Sequence, residues 1–154
     1  MQRSNSDSGL SAERSVLKTR LQNNKEQIFC EWRHRWVRLT PEEWVRQQLL
    51  HRMVSEGDYP ASLIAVEQAI TVGEVHKRCD AVVYDSAMQP LMLIECKAET
   101  VPLTQKTLDQ AIVYNRKLNV PYLLLCNGAQ TIFVNGNNIY PSGLPRYADL
   151  LRRE

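Results

Sequence analysis

Apolar residues recur along this chain with two different periods, and the switches between them mark its elements. Over residues 16–39 a moderate alternation predicts a small antiparallel meander, with strands at 16–21, 27–32 and 35–39 and a turn at 22–25. From Thr40 the spacing becomes helical. Trp44, Val45, Leu49, Leu50 and Met53 form a stripe, Thr40 can cap, and Pro41 suits the first helical position. Glu43 stands where a capping box needs its acid, and Gly57 is expected to end the helix. After Pro60, residues 63–70 read as extended, 77–85 as a strand and 86–90 as a turn. Residues 91–97 form a more apolar strand of central character. Leu108, Ala111, Ile112 and Leu118 predict a helix between Thr104 and Asn119 that Pro121 stops, followed by a strand over 122–126.

A strand, a helix of about four turns and a second strand make a right-handed crossover, so 91–97 and 122–126 are expected to be parallel neighbours. Asn127 and Gly128 signal a turn that brings 131–134 back antiparallel. The expected fold class is α/β, a mixed central sheet flanked by helices. With 154 residues, one domain is expected over 15–154, comprising the meander (16–39) and a core (40–135), after a polar, Ser-rich tail over 1–14.

Composition narrows the setting more than the function. The net charge of +2 neither requires nor excludes a nucleic-acid partner, because clustering matters more than the total. Arg33, Arg35, Arg38, Arg46 and Arg52 fall close together, which is also how a solvated face reads. Cys30, Cys79, Cys96 and Cys126 show neither a CxxC pair nor a zinc spacing. No stretch resembles a signal peptide or a membrane span, so the expectation is reduced thiols in a cytoplasmic protein with no membrane partner.

The candidate chemistry lies at Asp80 and, fourteen residues further on, Glu95-Cys96-Lys97. Glu95 and Lys97 are two apart on a strand and so share a face, with the Cys96 side chain opposite. The turn between the strands lets Asp80 lie beside Glu95. Two carboxylates held together repel unless a cation neutralises them, and a hard divalent ion with oxygen ligands, Mg²⁺ first, suits the pair. Acid-x-Lys alone usually means a surface ion pair. Here it closes the run Leu91-Met92-Leu93-Ile94, where unpaired charge is costly, and that points to a site.

Five stretches occur in order: TPEEWVRQ (40–47), RCDAVVYD (78–85), LIECK (93–97), QAIVYN (110–115) and NG (127–128). Together they resemble the nuclease domain at the N-terminus of type I restriction enzyme R subunits, over approximately residues 35 to 135. That domain belongs to the PD-(D/E)XK superfamily. Cys79 stands where the superfamily signature has Pro, which is not a ligand. The resemblance implies a restriction-endonuclease-like core and a Mg²⁺-dependent deoxyribonuclease, an endonuclease in first reading, with Mn²⁺ as a substitute ion. It assigns Asp80, Glu95, the Cys96 carbonyl and Glu43 to the metal. Lys97 would act on the attacking water and the phosphate, and Gln110 and Tyr114 would position the site or the DNA backbone. Arg78, Lys106 and Arg116, together with Lys77, are candidate backbone contacts.

An R subunit carries helicase motifs, and no GxxxxGK[ST] stretch occurs here. The expected partners are therefore DNA and, for a chain acting within a larger assembly, other restriction-modification subunits; a homodimer would suit a small enzyme cutting both strands. The competing expectation is a non-catalytic or partner-dependent nucleic-acid-binding module that retains the fold.

Overall fold

The computed structural model describes residues 17–152. The tail expected over 1–14 and the start of the first expected strand at Val16 lie outside the described residues. Three short strands, β1 (Thr19–Gln22), β2 (Lys25–Cys30) and β3 (Arg35–Arg38), form an antiparallel sheet of their own. Asn23 and Asn24 both take positive φ, 52° and 60°, and this closes the β1–β2 hairpin in two residues.

Helix α1 (Pro41–Gly57) starts as its sequence requires, with Thr40 Oγ1 accepting from the Glu43 N–H at 3.0 Å. The expected capping box is only half made, because the Glu43 carboxylate turns inward to Arg33, Arg46 and Gln47. The helix ends one residue later than expected, with Asp58 in the left-handed region at φ 55°. Gly57 answers a different constraint: a Cβ there would stand 2.7 Å from the Tyr59 ring.

A 3₁₀ turn (Ala61–Leu63) leads into β4 (Ile64–Val72), then β5 (Val75–Tyr84) and β6 (Pro90–Cys96). Helix α2 (Gln105–Leu118) crosses over to β7 (Tyr122–Cys126), followed by β8 (Thr131–Asn135), β9 (Asn138–Tyr140) and α3 (Tyr147–Leu151). These six strands form one sheet in the order β4-β5-β6-β7-β8-β9. All neighbours are antiparallel except β6 and β7, which run parallel from Met92↔Tyr122 to Cys96↔Cys126 as the crossover predicted. Asn119, at φ 56°, terminates α2 before Pro121 is reached.

Each face of the sheet carries an apolar layer. On one side Val45, Leu49, Leu50 and Met53 of α1 pack on Ala81, Val83, Met92, Ile94 and Leu124, with Tyr147 and Leu150 of α3 alongside. On the other, Leu108, Ala111 and Leu118 of α2 cover Val82, Leu93, Leu123, Leu125, Ile132 and Val134. Residues of β5, β6 and β7 are thus buried on both faces, which explains their near-continuous apolar runs. Among the described residues no helix is long and apolar enough to cross a membrane.

Candidate active site

The sheet places Asp80 where the spacing expected it. Ala81 of β5 pairs with Ile94 of β6, so Asp80 stands one step further on, alongside Glu95. Its Oδ2 accepts from the Cys96 N–H at 2.7 Å and its Oδ1 from Arg46 Nη2 of α1 at 2.9 Å. Strict alternation would not turn Asp80 toward α1. Cys79 and Val82, three apart, both pack on the α2 side, whereas Ala81 and Val83 pack on the α1 side. The alternation therefore slips at Asp80 with no change of register. Beside it in β4, between the pairs Val66↔Ala81 and Gln68↔Cys79, Glu67 takes the left-handed φ of 53°. Such a backbone is strained for a residue with a Cβ and persists only where its surroundings hold it.

Those surroundings are ionic. Arg46, with its side chain 8% exposed, faces Glu43 at 3.0 Å, Glu67 at 3.6 Å and Asp80. Its Nη1 contact to Glu43 is close but poorly aligned, so Nη1 and Nε lack a hydrogen-bond acceptor and the attraction there is Coulombic. Arg33 pairs with Glu43 and reaches Glu67 at 3.5 Å, while Arg78, largely exposed, meets Glu67 from outside at 3.5 Å. Gln47 Nε2 donates to Glu43 Oε1 at 2.9 Å. Glu43, expected as a metal ligand, is thus enclosed by two guanidinium groups and an amide.

The acid that α1 presents to Asp80 is instead Glu42. Burial, and after it the Asp80 carboxylate, raises the Glu42 carboxyl above its ordinary value, and a hydrogen bond to Asp80 adds to this. Lys97 and Arg46 pull the other way. Glu42 thus lies within reach of the charges of Asp80, Lys97 and Arg46. Lys97 follows the last residue of β6, and its N–H donates to Cys126 O at 2.8 Å, so the main chain stays anchored to β7. Beyond it, Asn127 Nδ2 holds Val101 O at 3.0 Å and ties the loop after β6 to the turn after β7.

Glu95 faces the α2 side and pairs with Lys77 of β5, whose ammonium stands 4.7 Å from the centre of the Tyr114 ring on α2. Burial first, and the nearby Glu95 second, push the Cys79 thiol up to about 11. The Cys96 thiol is also held well above its usual range, chiefly by burial, so neither sulfur is a ready nucleophile. It is the Cys96 N–H that meets Asp80.

Of the remaining candidates, Tyr114 is brought to the site through Lys77. Gln110 is exposed one turn earlier on α2, and Lys106 and Arg116 are exposed about 15 Å apart along that helix. Arg116 bonds Asn137. Sequence reasoning missed Glu42 and the role of Arg46. The signal for Glu43 was present: Arg46 and Gln47 lie three and four residues on, which is the spacing of internal helix pairs.

The donor set is the oxygen-rich kind that a hard divalent ion takes, and the mutual opposition of Glu42 and Asp80 is what such an ion would relieve. Among the described residues, no three His, Cys, Asp or Glu side chains converge as a bound ion would need. Asp80 turns toward α1, where Arg46 holds it, and Glu95 toward α2, where Lys77 holds it, so the two carboxylates expected side by side diverge across the sheet. A cleft of about 1310 Å³ follows a different stripe of α1, walled by Phe29, Trp32, Trp44 and His51, and includes neither Asp80, Glu95 nor Lys97.

A mixed six-stranded sheet between helices, with Asp80 within β5 and Glu95 and Lys97 at the end of β6, defines an α/β fold shared with a fragment of a restriction-enzyme subunit. Residues 41–142 match the family described as the type I restriction enzyme R protein N terminus (HSDR_N), and the chain belongs to that family. A fragment of a candidate HsdR subunit of a type I restriction enzyme from Vibrio vulnificus YJ016 superposes with a TM-score of 0.56 at 19% identity. That match covers 73% of this chain and 24% of that one. DrdV, in a complex with DNA, gives 0.50 at 17% identity over 73% of this chain and 12% of its own. A candidate nuclease belonging to DUF820 from Anabaena variabilis ATCC 29413 gives 0.50 at 11% identity, covering 84% and 87%. This chain thus spans about a quarter of the Vibrio chain and about an eighth of DrdV. No curated protein sequence matches it significantly.

Proposed function

We propose that this chain is a metal-dependent nuclease domain that hydrolyses phosphodiester bonds in DNA. The observation that carries the reading is Asp80, held by Arg46 and the Cys96 N–H and standing across from Glu95, itself two residues before Lys97, where β5 and β6 meet α1. Membership of the R-protein N-terminal family supports it, and so does the likeness of fold to a chain in complex with DNA. Glu42, Asp80 and Glu95 are the carboxylates that would hold Mg²⁺, or Mn²⁺ in its place, with the Cys96 carbonyl as a further oxygen ligand. When bound, such an ion polarises the phosphate and lowers the pKa of a coordinated water.

The chain's own residues supply the rest. Arg46 and the Cys96 N–H fix both oxygens of Asp80, so that carboxylate enters the reaction already oriented. Lys97 brings a positive charge against the phosphate as its negative charge grows, from a main chain anchored to β7. Water adds to phosphorus, the P–O bond to the leaving oxygen breaks, and that oxygen takes up a proton. Tyr114 and the basic side chains Arg78, Lys106 and Arg116 are exposed and would contact the DNA backbone rather than base edges.

The experiment is incubation of the purified chain with supercoiled and linear DNA and Mg²⁺ or Mn²⁺, beside Lys97→Ala. Nicking or degradation that needs the metal and falls at least about a hundredfold in the variant supports the assignment. The second reading, a module that cuts only within an assembly, is favoured by the small share of the Vibrio and DrdV chains that this chain spans. Metal binding without cleavage of either DNA would select it.

A further inference from the structure

Besides Lys97, two cations stand against the proposed metal ligands, and they differ in what holds them. Arg46 is buried and fixed by three carboxylates at once. Lys77 meets one, Glu95, and the side chains of that pair are 18% and 17% exposed. Its ammonium also rests over Tyr114, which Lys117 approaches from a second direction at 5.9 Å. Leaving Glu95 costs Lys77 one partly hydrated ion pair, and its flexible four-carbon stem allows the movement. The Tyr114 face then keeps the ammonium at the rim instead of releasing it to solvent.

We propose that Lys77 is a resident counter-cation: it neutralises Glu95 while no divalent ion is bound and yields that carboxylate when one enters. This rests on the nuclease reading of Glu95. A carboxylate so little exposed, next to the strand that carries Asp80, needs a positive partner in every state of the protein. A divalent ion at Glu95 and an ammonium held as close to it repel each other, so each weakens the other's hold. A linkage follows. Metal affinity is held below what the bare carboxylates would give, and a phosphate that draws Lys77 outward strengthens metal binding, as metal strengthens binding of the phosphate.

The test is calorimetric titration of the full chain with Mn²⁺, comparing wild type with Lys77→Met and Lys77→Gln, each also in a Glu95→Gln background. The expected result is binding about fivefold tighter in the Lys77 variants and no gain where Glu95 is already neutral. Without metal the Lys77 variants should melt lower than wild type, and saturating Mn²⁺ should raise their Tm by more. The Gln variant keeps the measurement open if Met does not fold. Mn²⁺ binding to wild type that is unchanged or weakened in both variants overturns the exchange while leaving the nuclease reading standing. No Mn²⁺ binding in wild type or either variant overturns the metal role of Glu95, and the exchange with it.

Discussion

Glu42 and Glu43 are adjacent in the chain, and a helix turns about 100° between them. That rotation separates an acid facing Asp80 from one enclosed by Arg33, Arg46 and Gln47. Substitution should therefore separate function from stability. Glu43→Gln leaves buried Arg46 short of a counter-charge and should cost about 2–3 kcal/mol in urea denaturation. Glu42→Gln removes an acid already opposed by Asp80. It should leave stability within about 0.5 kcal/mol while lowering Mn²⁺ affinity in calorimetry about tenfold. Equal loss of stability in both would remove Glu42 from the proposed site. The spacing of Asp80, Glu95 and Lys97 made their neighbourhood readable from sequence. Which helix acid joins them was not readable, because a start signal of the Thr-Pro-Glu-Glu type rewards either glutamate. The choice depends on Arg33, ten residues from Glu43 and in the turn between β2 and β3.

At the scale of elements, local signals and tertiary demands agree for the long segments and part company at the short ones. Thr40 caps α1 as read, so Thr40→Ala should lower stability by about 1 kcal/mol, measured as a shift of the urea midpoint at constant slope. No shift would mean that the Glu43 network alone sets the start of the helix. Helix α2 and the apolar strands on either side of it were legible, parallel pairing included, because 3.6-residue and buried-strand patterns alternate there without ambiguity. Strand β9 was not. All three of its residues are exposed, so it carries no apolar pattern and exists by pairing with β8. Helix α3 has five residues, and its packing through Tyr147 and Leu150 is settled by the distant surface of β5 and α1. Its Tyr147 hydroxyl donates to Tyr84 O at 3.1 Å. The twist at Asp80 escaped for the same reason, since it depends on the neighbouring strand's Glu67.

For the whole molecule, the cleft beside the small sheet ties stability to pH. His51 packs edge-on against Trp32, with ring centres 5.3 Å apart. Burial holds its imidazole below the ordinary 6.5, and Glu31 offsets this only in part. The unfolded chain therefore takes up the proton first. The contribution is fully present above about pH 6.5 and is lost as the pH falls through the depressed folded value. The Tm of wild type should drop more between pH 7.5 and pH 5 than that of His51→Gln, read by calorimetry or circular dichroism, and equal drops would place His51 in water. The six-stranded sheet has a consequence of another kind. Its strands stand in chain order, so every antiparallel pair is a neighbour in sequence, and only β6 and β7 must find each other across a helix. The largest single loop-closure cost of assembling the sheet therefore falls at that joint. That joint carries Glu95, Cys96 and the Lys97–Cys126 tie, so the contacts that define the proposed site await the costliest step of the chain's search for its fold.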